Sequence, residues 1–349
     1  MYIGMNPETF PQIRKYFPDC FYGIVEAVST YLYDTSPFDR IFSFHTFLYS
    51  KKGKELSLQK GSISLNACFS RDDSVMTKVP SYIKKYYGVA CRRQKFHTFS
   101  EFEAHVIRSL EEKKPVITDF NMGYVEGLWS YKTFYDPHAI VIIGMDKGET
   151  VHAFDQTLGH IRITYEDFKE CFHYNRKHYK AFRVYNLSHT GLPERKLDQK
   201  SALRRIRHNL KNLRAESSRK GFQAIAALTE DLSRFTQQSK AEGAYLQEIW
   251  EFSLDRYMLP LFIKQMADDL EVSLPETFRQ EMEQLFSELF NKWLAVVLLF
   301  DKNFIQYKVS NYEKILTLLK QIYPLERQTI HIWEQVEELI KAQTVEEAG

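Results

Sequence analysis

The run Ala139–Met145, AIVIIGM, constrains this chain more than any other stretch. It is unbroken by polar residues, rich in β-branched side chains, and far shorter than the ~20 residues of a membrane-spanning helix. An alternating pattern would mean a strand with one wet face. A continuous apolar run means a strand buried on both faces, inside a sheet covered from either side. Lys147-Gly148 supplies a turn, and Thr150–Phe154 returns as an antiparallel partner. Further strands are expected at Pro115–Phe120, Ile161–Thr164 and Ala181–Tyr185. The covering layers are expected from helices at Phe21–Leu32, with Asp19 as N-cap, at Ser100–Lys113, and at Tyr165–Phe172. In the second of these Ser100 would be the cap and Glu103 would complete a capping box. Helices first and antiparallel strands later define an α+β class.

The pattern changes near residue 190. Beyond it, Leu, Glu, Lys, Gln and Ala recur at helical spacing, which predicts helices near 198–217, 221–238, 242–270, 275–300 and 311–340. Pro260, Pro275 and Pro324 should start, kink or break them. The turn-rich phrase Leu187-Ser188-His189-Thr190-Gly191-Leu192-Pro193 reads as the linker. Two domains follow, an α+β domain over 1–188 and an all-α domain over 189–349.

Charge supports the division. The chain has 47 basic and 45 acidic side chains, net +2. Residues 195–220 alone hold 10 basic and 2 acidic groups, while 221–349 hold 12 basic and 21 acidic. The basic stretch reads as a solvated helix face, an internal partner for the acidic helices, or a docking surface. Nucleic-acid binding has no recognised motif behind it. Neither Gly-rich phosphate-loop pattern is present. The start of the chain lacks a basic, then apolar, leader, and Trp293–Phe300 is too short to span a bilayer. A soluble, cytoplasmic protein is expected. The four cysteines, at 20, 68, 91 and 171, form no C-x-x-C pair, so neither a disulfide framework nor a thiolate zinc site is expected.

Three residues carry chemistry. Cys20 falls at the start of a helix, where the dipole and free N–H groups favour a thiolate and can bind an oxyanion. His138 opens the apolar strand and Asp155 closes its partner. An antiparallel pair brings such residues to one edge of the sheet, where a carboxylate can fix the tautomer of an imidazole. Nucleophile, base and orienting group follow. Cys68, Cys91 and Cys171 read as packing residues, His152 as structural, and His173 with His178 as short of a metal site.

The order of these residues resembles the papain-like (C39-like) cysteine fold. More narrowly, it resembles the family of butirosin biosynthesis protein H (BtrH). The matching text is Pro18-Asp19-Cys20-Phe21, then Lys114–Asp119 followed by Tyr124, then Pro137–Asp146 through Val151–Asp155, with Ile161–Phe172 after it. The likeness spans roughly residues 10–185. It implies an acyltransferase that moves an acyl or aminoacyl group from the phosphopantetheine thioester of a carrier protein to an amine or hydroxyl of a small acceptor, in antibiotic or nonribosomal-peptide assembly. Cys20 would take the acyl group, His138 would be base and acid, and Asp155 would orient His138, with no bound cofactor or metal. Gln156 stands where such families have proline, and Arg14 near where related peptidases have an oxyanion glutamine, leaving Gln12 and the Cys20 backbone N–H as donors. An acidic carrier could dock on the basic helix through Arg204, Arg205, Arg207 and Lys211. A thioesterase or cysteine peptidase would share the triad, and a non-catalytic binding module would not use it.

Overall fold

A computed structural model describes residues 2–14, 20–41, 48–49, 69–70, 79–128, 131–133, 137–215, 221–238, 247–305 and 308–346. In chain order the elements are β1 (Tyr2–Gly4), α1 (Cys20–Tyr33), β2 (Leu48–Tyr49), β3 (Phe69–Ser70), α2 (Val79–Tyr87), β4 (Val89–Phe96), α3 (Phe99–Glu111), β5 (Val116–Asn121), β6 (Pro137–Asp146), β7 (Thr150–Asp155), β8 (Gly159–Thr164), α4 (Tyr165–Tyr179) and β9 (Phe182–His189). Helices α5 (Gln199–Leu213), α6 (Phe222–Gln238), α7 (Gln247–Leu270), α8 (Glu276–Ile305) and α9 (Val309–Glu346) complete it. The class is mixed α+β. The chain divides into two compact units, Met1–Phe38 with Pro80–Glu194, and Asp39–Val79 with Arg195–Gly349.

The first unit is built on an antiparallel sheet ordered β4-β9-β5-β6-β7-β8, with β1 added beside β6. The AIVIIGM run is the heart of it. Ile140, Val141, Ile142 and Ile143 are all fully buried, each such side chain stabilising the fold by roughly 1.5–3 kcal/mol. Both faces are covered, as a continuous apolar strand requires. On one face Phe102 of α3 and Phe172 of α4 meet Phe182 of β9, at ring-centroid distances of 4.5 and 5.1 Å. On the other, Phe21 of α1 meets Tyr185 at 4.5 Å, and α1 packs along β6. Helix α1 buries Ile24, Val25, Ala27 and Val28.

Differences from the sequence reading have local causes. The N-cap of α3 is Thr98, in extended conformation, whose side chain accepts from Glu101 N. Ser100 lies inside the helix, and Glu103 accepts a hydrogen bond from Tyr165 Oη instead of closing a box. Asp19, the expected cap of α1, lies outside the described residues. Strands β1 and β4 carried no alternation to read. Five successive residues of β4, Cys91–Lys95, are exposed, so a period-two pattern never arises.

In the second unit the helices match their expected spans closely. Pro275 immediately precedes α8, and its carbonyl accepts from Arg279 N. Pro260 and Pro324 instead lie inside α7 and α9. A proline inside a helix costs about 3 kcal/mol. Around Pro260 the buried Met258, Leu259, Phe262 and Ile263 offset that cost. Within Trp293–Phe300, Trp293, Val296, Val297 and Phe300 are buried and Leu298 is exposed, the pattern of a core helix. No helix among the described residues is long and apolar enough to cross a membrane.

Candidate active site

The histidine and carboxylate do meet. His138 Nε2 lies 2.6 Å from Asp155 Oδ2. Asp155 is 1% exposed, and its other oxygen accepts from Thr157 N and Leu158 N, both at 2.8 Å. Each carboxylate oxygen therefore has a fixed task, one closing the turn after β7 and one facing the imidazole. Burial pushes the Asp155 carboxyl up, but His138 and the two backbone N–H groups outweigh it and hold the group below its ordinary value. Asp155 is thus ionised at neutral pH. Nε2 faces the carboxylate, and Nδ1 is the second ring nitrogen.

A β-bulge makes this pairing possible. Near the hairpin turn, Asp146 pairs with Thr150, Met145 with Val151 and Gly144 with His152. Beyond it, Ile142 pairs with Ala153 and Val141 with Phe154, so Ile143 is the extra residue. One step further, Asp155 falls opposite Ile140, which shares a face with His138. Without the bulge Asp155 would fall opposite Val141, on the other face. His138 and Asp155 are thus diagonal neighbours, not directly opposed. Strand β1 clasps the bulge. Met5 N donates to Ile143 O at 2.8 Å. Gly4 has φ +141°, and a Cβ there would stand 2.3 Å from the same oxygen.

Cys20 opens α1; its side chain lies outside the described ones. The segment before it is tied to the Asp155 turn. Arg14 pairs with Glu26 of α1, Nε to Oε1 at 2.6 Å, and Gln156 Nε2 donates to Arg14 O at 3.2 Å. Phe10 stacks on Phe154 of β7 at 5.2 Å. Gln156, which the sequence marked only as a departure from proline, is a buried tether between the end of β7 and the approach to α1. Arg14 is committed to Glu26, and Gln12 is exposed.

One carboxylate near the end of β5, on the α1 face of the sheet, had no signal of its own. Asp119 stands on β5 next to Phe120, which pairs with His138. It accepts from Tyr185 Oη at 3.0 Å and lies 3.4 Å from Arg183 Nε. Burial pushes its carboxyl up against those partners.

The remaining expectations resolve as follows. Cys171 is buried, accepts from Asn121 N, and has its thiol pushed well up by burial. Cys91 is exposed, and Cys68 lies outside the described residues. His152 is buried, with Nε2 2.9 Å from Asp146 Oδ2 and Nδ1 3.3 Å from His160 Nε2. Among the described residues no cluster of His, Cys, Asp or Glu is arranged to hold a metal ion. The basic helix is α5, and it does not present the four cations together. Arg205 is 6% exposed, donates to Arg40 O at 2.6 Å, and has its guanidinium 5.8 Å from the centre of the Phe262 ring. It is a core residue and drops out of any docking set, because the apolar face of α5 turns it inward. Arg207 pairs with Glu337 of α9 at 2.9 Å, and Arg214 with Glu334. Arg204 and Lys211 are exposed.

No family model matches the chain, and no curated protein matches it.

Proposed function

We propose that the protein is a cysteine-dependent acyltransferase of papain-like architecture, using carrier-protein thioesters. The observation that carries this is the His138–Asp155 pair. A buried carboxylate, tethered through one oxygen by Thr157 N and Leu158 N, stands with the other 2.6 Å from one imidazole nitrogen at the end of the sheet, and Cys20 opens the helix packed on that sheet. The Cys20 thiolate attacks the thioester carbonyl, the bond from carbonyl carbon to the phosphopantetheine sulfur breaks, and His138 Nδ1 protonates the departing thiol. The acyl group rests on Cys20. An amine or hydroxyl acceptor then attacks, His138 takes its proton, and Cys20 is regenerated. The N–H groups opening α1 stabilise both tetrahedral intermediates. In this mechanism Nδ1 is approached over the end of β6, because His138 alternates to the face away from α1. Carrier docking on α5 would rest on Arg204 and Lys211.

Incubation with an acyl-carrier thioester, followed by intact mass, should show one acyl adduct on the wild type and none on Cys20→Ala. No adduct and no turnover on the wild type would sink the reading for the donor used. Adding candidate amines separates transfer from hydrolysis, which is the thioesterase alternative.

A further inference from the structure

A cavity of about 610 Å3 in the first unit lies between α1, α3 and the end of β9. It sits at the opposite end of the sheet from the His138–Asp155 pair. Val116, at the start of β5, lines it, whereas Phe120, opposite His138, is near the end of that strand, roughly 14 Å away at the usual strand rise. The volume is that of a small-molecule site.

The lining is two-sided. Val28 and Leu32 of α1 and Leu187 of β9 give an apolar wall. Opposite them stand His105, Arg108 and Lys114. Arg108 is exposed and has no ion pair among the described residues. The only acid in the lining, Glu112, is already paired with Lys114 at 2.7 Å. His105 Nε2 is shut off from water without a hydrogen-bond partner among the described residues. Burial, together with the Arg108 charge, holds that imidazole below its ordinary pKa against a hydrogen bond with Asn186, which lines the same cavity, so at neutral pH Arg108 and not His105 supplies the positive charge on this wall. The exposed Arg108 guanidinium would neutralise the charge of an oxyanion in the cavity.

We propose that this cavity binds a small organic anion, an oxyanion carried on a short apolar body, with Arg108 as its principal cation. The anionic head sits on α3, and the body lies against Val28, Leu32 and Leu187. The site is independent of Cys20, His138 and Asp155.

Titration calorimetry of the full chain with benzoate and with phenyl phosphate tests this, with benzamide as the neutral isostere. At least one anion should bind and benzamide should not; whichever binds identifies carboxylate or phosphate as the head. Arg108→Gln, on an exposed side chain, should weaken binding by roughly tenfold or more, and Arg162→Gln on β8 should not. Absence of binding by both anions at millimolar concentration would overturn the proposal. So would equal binding of benzamide, or an Arg108→Gln protein that binds like the wild type.

Discussion

An ion pair in the interior of the helical unit has a calculable removal cost. Arg256 of α7 and Glu326 of α9 are both fully buried, with Nε and Oε1 2.8 Å apart. The same oxygen accepts from Trp293 Nε1 of α8, also at 2.8 Å. Three helices therefore converge on one carboxylate. Glu326→Ala leaves a buried guanidinium without its counter-ion, worth about 3–5 kcal/mol, and a buried indole N–H without its acceptor, about 1–3 kcal/mol. The two overlap, so a loss of about 4–6 kcal/mol is expected, against a total stability of about 5–15 kcal/mol for a domain. Glu326→Gln keeps an acceptor for Trp293 and loses only the charge, so it should cost about 3 kcal/mol. Replacing both partners, Arg256→Met with Glu326→Leu, should recover most of the loss, because no uncompensated charge remains. Urea unfolding followed by tryptophan fluorescence is the assay. Of the four tryptophans, Trp250, Trp293 and Trp333 belong to this unit, so the signal reports mainly on it. The reasoning fails if Glu326→Ala lies within about 1 kcal/mol of wild type, or if the double variant is no more stable than Glu326→Ala alone.

Three further outcomes are expected. Gly4→Ala places a Cβ against Ile143 O at a φ that L residues rarely adopt; it should cost about 1–3 kcal/mol and slow acyl-adduct formation by disturbing the bulge. Gly148→Ala, also at positive φ (+75°) but with open space around it, should carry backbone strain of its own yet leave adduct formation at the wild-type rate. Asp155→Asn should lower the adduct rate by about 10³–10⁴ through loss of the correct His138 tautomer. Because the folded Asp155 titrates below its unfolded value, its contribution to stability is present above about pH 4 and is lost as pH falls through the folded pKa. The Asn variant should therefore show a shallower acid-unfolding profile than wild type, and equal slopes would refute the pairing. Finally, Thr98→Ala should destabilise by about 1 kcal/mol, while Ser100→Ala should be near neutral by thermal unfolding; the reverse would restore the capping box.

The sequence by itself determined the α+β class, the doubly buried hairpin and the helical spans of the second unit. Hydrophobic periodicity is a local property, and burial follows it. It also put Cys20 at a helix start and His138 and Asp155 at neighbouring strand ends. It did not determine that His138 and Asp155 share a face, because strand alternation has a period of two and one extra residue reverses the answer. That residue, Ile143, is set by Met5 and Gly4 of a strand pairing from far along the chain. The same holds for Arg205. Its charge suggested solvent, but the apolar face of α5 rotates it inward onto Arg40 O and Phe262. Local pattern decides which elements form; which side chains meet is decided by long-range pairings, where a one-residue offset or a helix rotation reverses what the pattern alone suggests.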